Sequence, residues 1–208
     1  MALQEPSLPL PGIAPDRTGK YRTDHLLVAG MIEASSRVLD VGCGDGALIR
    51  LLTRECHARA RGLEIDPIKV HRCVASGLSV VQGDAERDLE HFPSASFEYV
   101  VFSHTLLQMR RPLEALKTAA RIGERVIVSI NNAGHWQRRF RFGFNGRLAL
   151  WEDATPVTVR DFAAAAREMR LTIERGVPIS KDHAGAPFAR TLWRANWFSQ
   201  QAVFLLTP

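Results

Sequence analysis

No run of apolar residues in this sequence reaches the roughly 18 needed to cross a bilayer. The first twenty residues lack a basic segment followed by an apolar one, so no secretory leader is expected. Cysteine is scarce: Cys43, Cys56 and Cys73 form no Cys-x-x-Cys pair and have no histidine at ligand spacing. That excludes a disulfide framework and a structural zinc site, and it suits the reducing cytoplasm. Histidines are too dispersed for a metal site. Charge is not strongly one-sided either, with 27 Lys and Arg against 22 Asp and Glu and a net +5. Most arginines stand singly, as Arg37, Arg50, Arg54, Arg59 and Arg61 do, which is the pattern of a solvated surface. What is present is an ordinary globular balance, 46% hydrophobic and 24% charged in 208 residues, enough for one domain with a packed core.

The opening stretch to about Lys20 holds Pro6, Pro9, Pro11 and Pro15, which forbid a regular element and predict a mobile arm over residues 1–20. The folded domain is expected over 21–208. Asp24 is placed to cap a helix whose apolar stripe is Leu27, Val28, Met31 and Ile32. Short β-rich runs then alternate with helical ones. Strands are expected at Arg37–Val41, Ala60–Ile65, Leu78–Gln82, Phe97–Ser103 and Arg125–Ile130. Helices are expected at Ala47–Arg54, from Pro67 behind the cap Asp66, and from Pro112 with Leu113, Leu116, Ala119 and Ala120 inward. This alternation means βαβ units and a parallel sheet covered on both faces. After Asn131 the rhythm breaks. Thr158 and Asp161 have capping-box spacing before another helix, and strands near Leu171–Pro178 and Gln201–Leu206 close the sheet as an antiparallel hairpin.

The most informative run is Val38-Leu-Asp-Val-Gly-Cys-Gly-Asp-Gly46. Glycines directly after a strand allow a tight turn and a close backbone approach to a ligand, and the next helix aims its positive end there. Gly42, Gly44 and Ala47 also satisfy the dinucleotide fingerprint, which alone is weak. Asp40 separates the two readings. An acid just before the first glycine is unwelcome beside a pyrophosphate and useful beside an ammonium or a sulfonium. Glu64 follows on the next strand, where an acid accepts hydrogen bonds from ribose hydroxyls. No second mononucleotide-binding half appears.

The run resembles motif I of the class I S-adenosylmethionine-dependent methyltransferases. That resemblance implies a Rossmann-like α/β domain, mostly parallel, with a C-terminal antiparallel hairpin. It implies S-adenosylmethionine as cofactor, held by Asp40, Gly42, Cys43, Gly44, Gly46, Glu64, Ile65, Asp84, Ala85 and Ser103. Ile65 would pack on the adenine, and Gln82-Gly-Asp-Ala85 would meet its amino group. The series Tyr21-Arg-Thr-Asp24, Gly62-Leu-Glu-Ile-Asp66, Val81-Gln-Gly-Asp84, Phe97–Ser103, Thr105-Leu106, Arg111-Pro112 and Asn131–Trp136 is similar to the MetW family of methionine-biosynthesis proteins. The family stretch that follows Gly146-Arg147 is shortened here to Leu148–Pro156. This resemblance implies an accessory partner of homoserine O-acyltransferase that senses the pathway's end product.

Methyl transfer needs no obligatory side chain, because the sulfonium supplies the reactivity and the protein aligns the acceptor. The place where an amino-nitrogen methyltransferase carries Asn/Asp-Pro-Pro-aromatic reads Ser103-His104-Thr105-Leu106, and His104 is the best candidate general base there. His135 to Arg147 interleaves Arg138, Arg139, Arg141 and Arg147 with phenylalanines and Trp136. An amphipathic packing helix, a protein interface and a nucleic-acid surface all use this composition. Three functions follow in order: a MetW-like accessory protein, a small-molecule methyltransferase and a nucleic-acid methyltransferase. No membrane association is expected.

Overall fold

The computed structural model describes residues 21–145, 155–188 and 192–208. The proline-rich arm, Gly146–Arg147 and most of the shortened stretch behind them lie outside these residues. The elements run α1 (Thr23–Ala29), β1 (Arg37–Val41), α2 (Ala47–Glu55), β2 (Arg59–Glu64), α3 (Pro67–Ala75), β3 (Val80–Gln82), α4 (Ala85–Asp88), β4 (Phe97–Ser103), α5 (Pro112–Ile122), β5 (Gly123–Asn131), α6 (Trp136–Asn145), α7 (Val159–Glu168), β6 (Thr172–Ser180), β7 (His183–Ala184), α8 (Leu192–Phe198) and β8 (Gln201–Thr207).

The strands form one sheet in the order β3-β2-β1-β4-β5-β8-β6-β7. From β3 to β5 every pairing is parallel, while β8 runs antiparallel between β5 and β6. The expected C-terminal hairpin is therefore present, with β7 and α8 as its long connection. The chain order reverses at β1, which has β2 on one side and β4 on the other. In open α/β sheets the crevice at that switch, outside the carboxyl ends of the strands, is where ligands bind.

Both faces are buried, so the central strands are mostly apolar. Val100 and Phe102 point to the side covered by α5 and α7, with Leu116, Ala119, Phe162 and Ala166. Tyr99 and Val101 point the other way, toward Leu27, Val28, Leu48, Leu51 and Leu52 of α1 and α2. Two-residue alternation puts Asp40 on the α1/α2 face with Val38. The capping box of α7 forms, with Thr158 accepting from the Asp161 amide at 3.1 Å and Asp161 accepting from the Thr158 amide at 3.2 Å.

Two expectations are corrected. Asp24 does not cap α1; Arg22 holds that position without a side-chain bond to the helix's free amides, and Asp24 sits buried in the first turn. Leu113 does not face inward but is 54% exposed, and Ala115 takes its place beside Leu116, Ala119 and Ile122. No described helix is long and apolar enough to cross a membrane.

Candidate ligand-binding site

The turn between β1 and α2 carries Gly42, Gly44 and Gly46 at φ of +74°, +58° and +74°. Gly42 cannot be replaced because a Cβ there would collide with the Thr105 side chain. At Gly44 a Cβ would meet nothing within 4 Å, so the requirement there is the backbone angle itself, and the space in front of that backbone is open. The turn is tied to the neighbouring strand: the Gly42 amide donates to Leu63 O at 2.7 Å and the Gly44 amide to Glu64 Oε2 at 2.8 Å. Glu64 Oε1 accepts from the Asp66 amide at 3.0 Å. One carboxylate thus braces both the glycine turn and the start of α3. A carboxylate has about four lone-pair sites, so two remain for a ligand's hydroxyls.

Asp40 is 1% exposed and its Oδ1 has no hydrogen-bond partner among the described residues. Burial, reinforced by the charge of Glu64, pushes its carboxyl up to about 7. Cys43 is also buried, and desolvation pushes its thiol well above the usual range, so it is no nucleophile. Ile65, next to Glu64, is 64% exposed at the crevice mouth. Asp84 caps α4 by accepting from the Glu86 amide at 3.0 Å, and its own amide donates to Asp88 Oδ2 at 2.7 Å. Ala85 is half-buried against the core. Gly46 is the left-handed cap of α2.

The sequence reading missed the polar cluster on the other side of Gly42. Asp24, 2% exposed, accepts from Arg22 Nε at 2.9 Å, Ser103 Oγ at 3.1 Å and Ser129 Oγ at 3.3 Å. His104 Nε2 stands 3.4 Å from Asp24 Oδ2. Burial works against ionisation of Asp24, but the bonds from His104 and Arg22 outweigh it and hold the carboxyl well below the usual range. Ser103 Oγ also accepts from Arg22 Nη2 at 2.9 Å.

His104 adopts φ +57°, unusual for a residue with a Cβ, and its amide is held by Ser129 Oγ at 3.0 Å. Its Nδ1 is buried with no partner among the described residues. His25, buried on α1, is lowered to about 4 by desolvation and stays neutral near pH 7. The described residues hold no His/Cys/Asp/Glu cluster that could take a metal.

The arginine-aromatic segment forms α6. Arg139 donates to Gly134 O at 2.6 Å, and its guanidinium lies 4.7 Å from the Trp197 ring of α8. Trp136 and Phe140 meet edge to face at 6.0 Å. Trp136, Trp193, Trp197 and Phe198 are between 40% and 58% exposed, which leaves an aromatic surface across α6 and α8.

The family model described as methionine biosynthesis protein MetW matches residues 22–206. The bifunctional methionine biosynthesis protein MetXA/MetW of Rhodopirellula baltica is 28% identical over 146 residues, 66% of this chain and 23% of that protein. An uncharacterized methyltransferase of Schizosaccharomyces pombe is 38% identical over 85 residues, 39% of this chain and 32% of that protein. The matched segments thus span under a third of either relative. Among solved structures, an S-adenosylmethionine-dependent methyltransferase from Thermotoga maritima superposes with a TM-score of 0.66 at 17% identity, covering 88% of this chain and 86% of that one. A second from Archaeoglobus fulgidus gives 0.62 at 17% identity, with 88% and 94% covered. At such identities the likeness is one of fold, the α/β methyltransferase fold.

Proposed function

This chain belongs to the MetW family of methionine biosynthesis, and from that premise we propose that it binds S-adenosylmethionine at the ends of β1, β2 and β4 and acts as an accessory partner of homoserine O-acyltransferase. The observation that carries the ligand assignment is Asp40, a buried carboxyl whose Oδ1 lacks a partner among the described residues, beside a glycine turn with open space in front of it. An unsatisfied buried acceptor costs about 1–3 kcal/mol, a cost that a ligand ammonium would remove. Glu64 would take the ribose hydroxyls, Ile65 would cover one face of the adenine, and the Asp84–Ala85 turn would border its edge. Gly46 and Ser103 would line the crevice around the ligand. When bound, the cofactor would supply a methyl group activated by its sulfonium. The partner assignment is supported by the Rhodopirellula baltica protein, whose name joins MetXA and MetW in one chain.

Calorimetry with S-adenosylmethionine, with and without homoserine O-acyltransferase, tests both parts. One molecule bound per chain, with an affinity that the acyltransferase changes, is the expected result. Coupling of this kind is reciprocal and typically about 5- to 150-fold. Absence of binding overturns the ligand assignment. Binding that ignores the acyltransferase, with no complex on gel filtration, overturns the accessory role.

A second reading, methyl transfer to a small protic acceptor, is favoured by the pairing of His104 with Asp24. The ionised Asp24 would hold the Nε2 proton, and an acceptor hydroxyl or amine that reached the buried Nδ1 would give its proton to that lone pair as the methyl group is transferred. Ser129 fixes the strained backbone that carries the imidazole. If transfer occurs, His104→Asn lowers S-adenosylhomocysteine formation in a metabolite extract by about 10²- to 10⁴-fold while cofactor affinity stays within about twofold. Equal loss of affinity would make His104 a structural residue.

A further inference from the structure

The sheet face under α5 and α7 is open at one corner. Both helices end there, α5 at Ile122 directly before β5 and α7 at Glu168 shortly before β6. The pairings of Phe97 with Gly123, Val126 with Leu206 and Thr172 with Thr207 bring the starts of β4, β5 and β6 and the end of β8 to this corner. The glycine turn follows the carboxyl end of β1, which runs parallel to β4, so the corner lies at the opposite end of the sheet. A cavity of about 740 Å³ opens between the two helix ends. That lies within the roughly 300–1,000 Å³ of small-molecule sites.

The floor of the cavity is apolar. Ala120 and Met169 pack against the core, Leu171 is buried, and Pro208 borders them. Its rim is basic, with Lys117, Arg121 and Arg170 against one acidic side chain, Glu90. Arg121 is committed to the fold: Nη1 donates to Phe92 O at 3.0 Å and Nη2 to Glu90 O at 3.1 Å. It ties α5 to the loop before β4 and makes a fixed wall. Lys117, one helical turn earlier on the same face, and Arg170 have no side-chain hydrogen bond or ion pair among the described residues.

Arg170 is the informative residue. At the end of α7 the Leu171 amide donates to Ala166 O at 2.9 Å and the Arg170 amide to Arg167 O at 2.9 Å, the two bonds of a Schellman turn. Arg170 thereby occupies the left-handed position, φ +63°, that glycine fills most readily. The turn alone gives no reason for a long cationic side chain there; the cavity that it lines does.

We propose that this corner is a second ligand site, separate from the glycine-turn crevice, that takes an aliphatic carboxylate. The ligand's chain would lie on Ala120, Met169 and Leu171, and its head group would meet Lys117 and Arg170 at the rim. A guanidinium fork matches the two oxygens of a carboxylate. The charge of Glu90 disfavours a doubly ionised head group such as a phosphate monoester. The two sites share no residue, so this inference does not depend on the cofactor reading.

Calorimetry on the full chain with octanoate, octanol and acetate tests it, since these carry tail and charge, tail alone and charge alone. Octanoate should bind about 30-fold or more tightly than acetate, because each buried methylene contributes about fourfold. It should bind about 5- to 30-fold more tightly than octanol, a range between an exposed ion pair and a charged hydrogen bond. Arg170→Gly is the decisive variant. Glycine relieves the left-handed backbone, so the melting temperature should be no lower than the parent's. Octanoate affinity should nevertheless fall about 5- to 30-fold while octanol affinity stays within about twofold. Lys117→Gln should act on the ligands in the same way. Saturating S-adenosylhomocysteine should leave octanoate bound; displacement would put octanoate in the glycine-turn crevice and overturn the proposal. So would a parent that bound octanoate no better than octanol, or variants that bound it as the parent does. A chain that bound octanoate but not S-adenosylhomocysteine would sink the cofactor reading and leave this one standing.

Discussion

Asp40→Asn is expected to raise the melting temperature of the ligand-free protein by about 4–8 °C at pH 8, an effect on the order of 2 kcal/mol. The carboxyl is raised by burial, and then by Glu64, from its ordinary 3.8 to about 7. Between those two values the folded state keeps a proton that the unfolded chain has released. Stability therefore falls as pH rises through this window, and the whole penalty is present above about 7. Below the unfolded value both states are protonated and the penalty vanishes. Asparagine never ionises, so its advantage should widen between pH 5 and pH 8 in thermal scans. The gain stays below the full proton-linkage value because the amide inherits the same unpartnered position. Ligand binding should run in the opposite sense. A bound ammonium favours the ionised carboxyl, so the parent's affinity for S-adenosylmethionine should climb about tenfold from pH 6 to pH 8. The variant should bind weakly with a flat profile. A variant destabilised at every pH would show that Asp40 is paired in the ligand-free protein and is not held in reserve.

That tension explains why the site was legible in part. Asp40, the glycines and Glu64 are local signals: an acid and three glycines in one strand-turn run, then an acid at the end of the next strand, with their chemistry written in the order of the chain. Strand β4 was legible to the residue because Phe97–Ser103 is apolar on both faces and bounded by polar residues. Asp24 was misread for a physical reason. Near a helix start an aspartate satisfies the local capping rule as well as a distant role does, and its partners Ser103 and Ser129 lie 79 and 105 positions away. The inward face of α5 was misphased because alanines carry it. Ala115, Ala119 and Ile122 recur at helical spacing, while the more hydrophobic Leu113 at the first turn lies on the opposite side. Helix α8 has little periodicity over its 7 residues and is not among the helices the sequence predicts.

Asn132 belongs to the same class of hidden residue, and Asn132→Ala should cost about 3–5 kcal/mol and lower the melting temperature by about 10 °C or more. It is 0% exposed at the end of β5. Its Nδ2 donates to Asn196 O at 3.0 Å, in the last turn of α8, and to Ser199 O at 2.8 Å, just beyond it, where helical carbonyls run out of partners. Its Oδ1 accepts from the Gly134 amide at 2.9 Å, in the turn before α6, and from the Val159 amide at 3.2 Å, in the first turn of α7. One side-chain amide therefore closes the ends of two helices and sets the approach of a third. Alanine strands those backbone groups in a buried place with no room for compensation. Asn132→Asp should be worse still despite its shape, because it turns the donor nitrogen into a charged oxygen facing carbonyl oxygens. An aspartate tolerated better than alanine would reverse the donor assignment. The aromatic residues of α6 and α8 hang from this node, so partner capture should weaken in the alanine variant at temperatures where it is still folded. Binding at the glycine turn, braced separately by Glu64, should persist there. If nucleoside binding disappeared and acyltransferase capture survived, α6 and α8 would belong to the ligand site, and the partner would have to dock elsewhere on the domain.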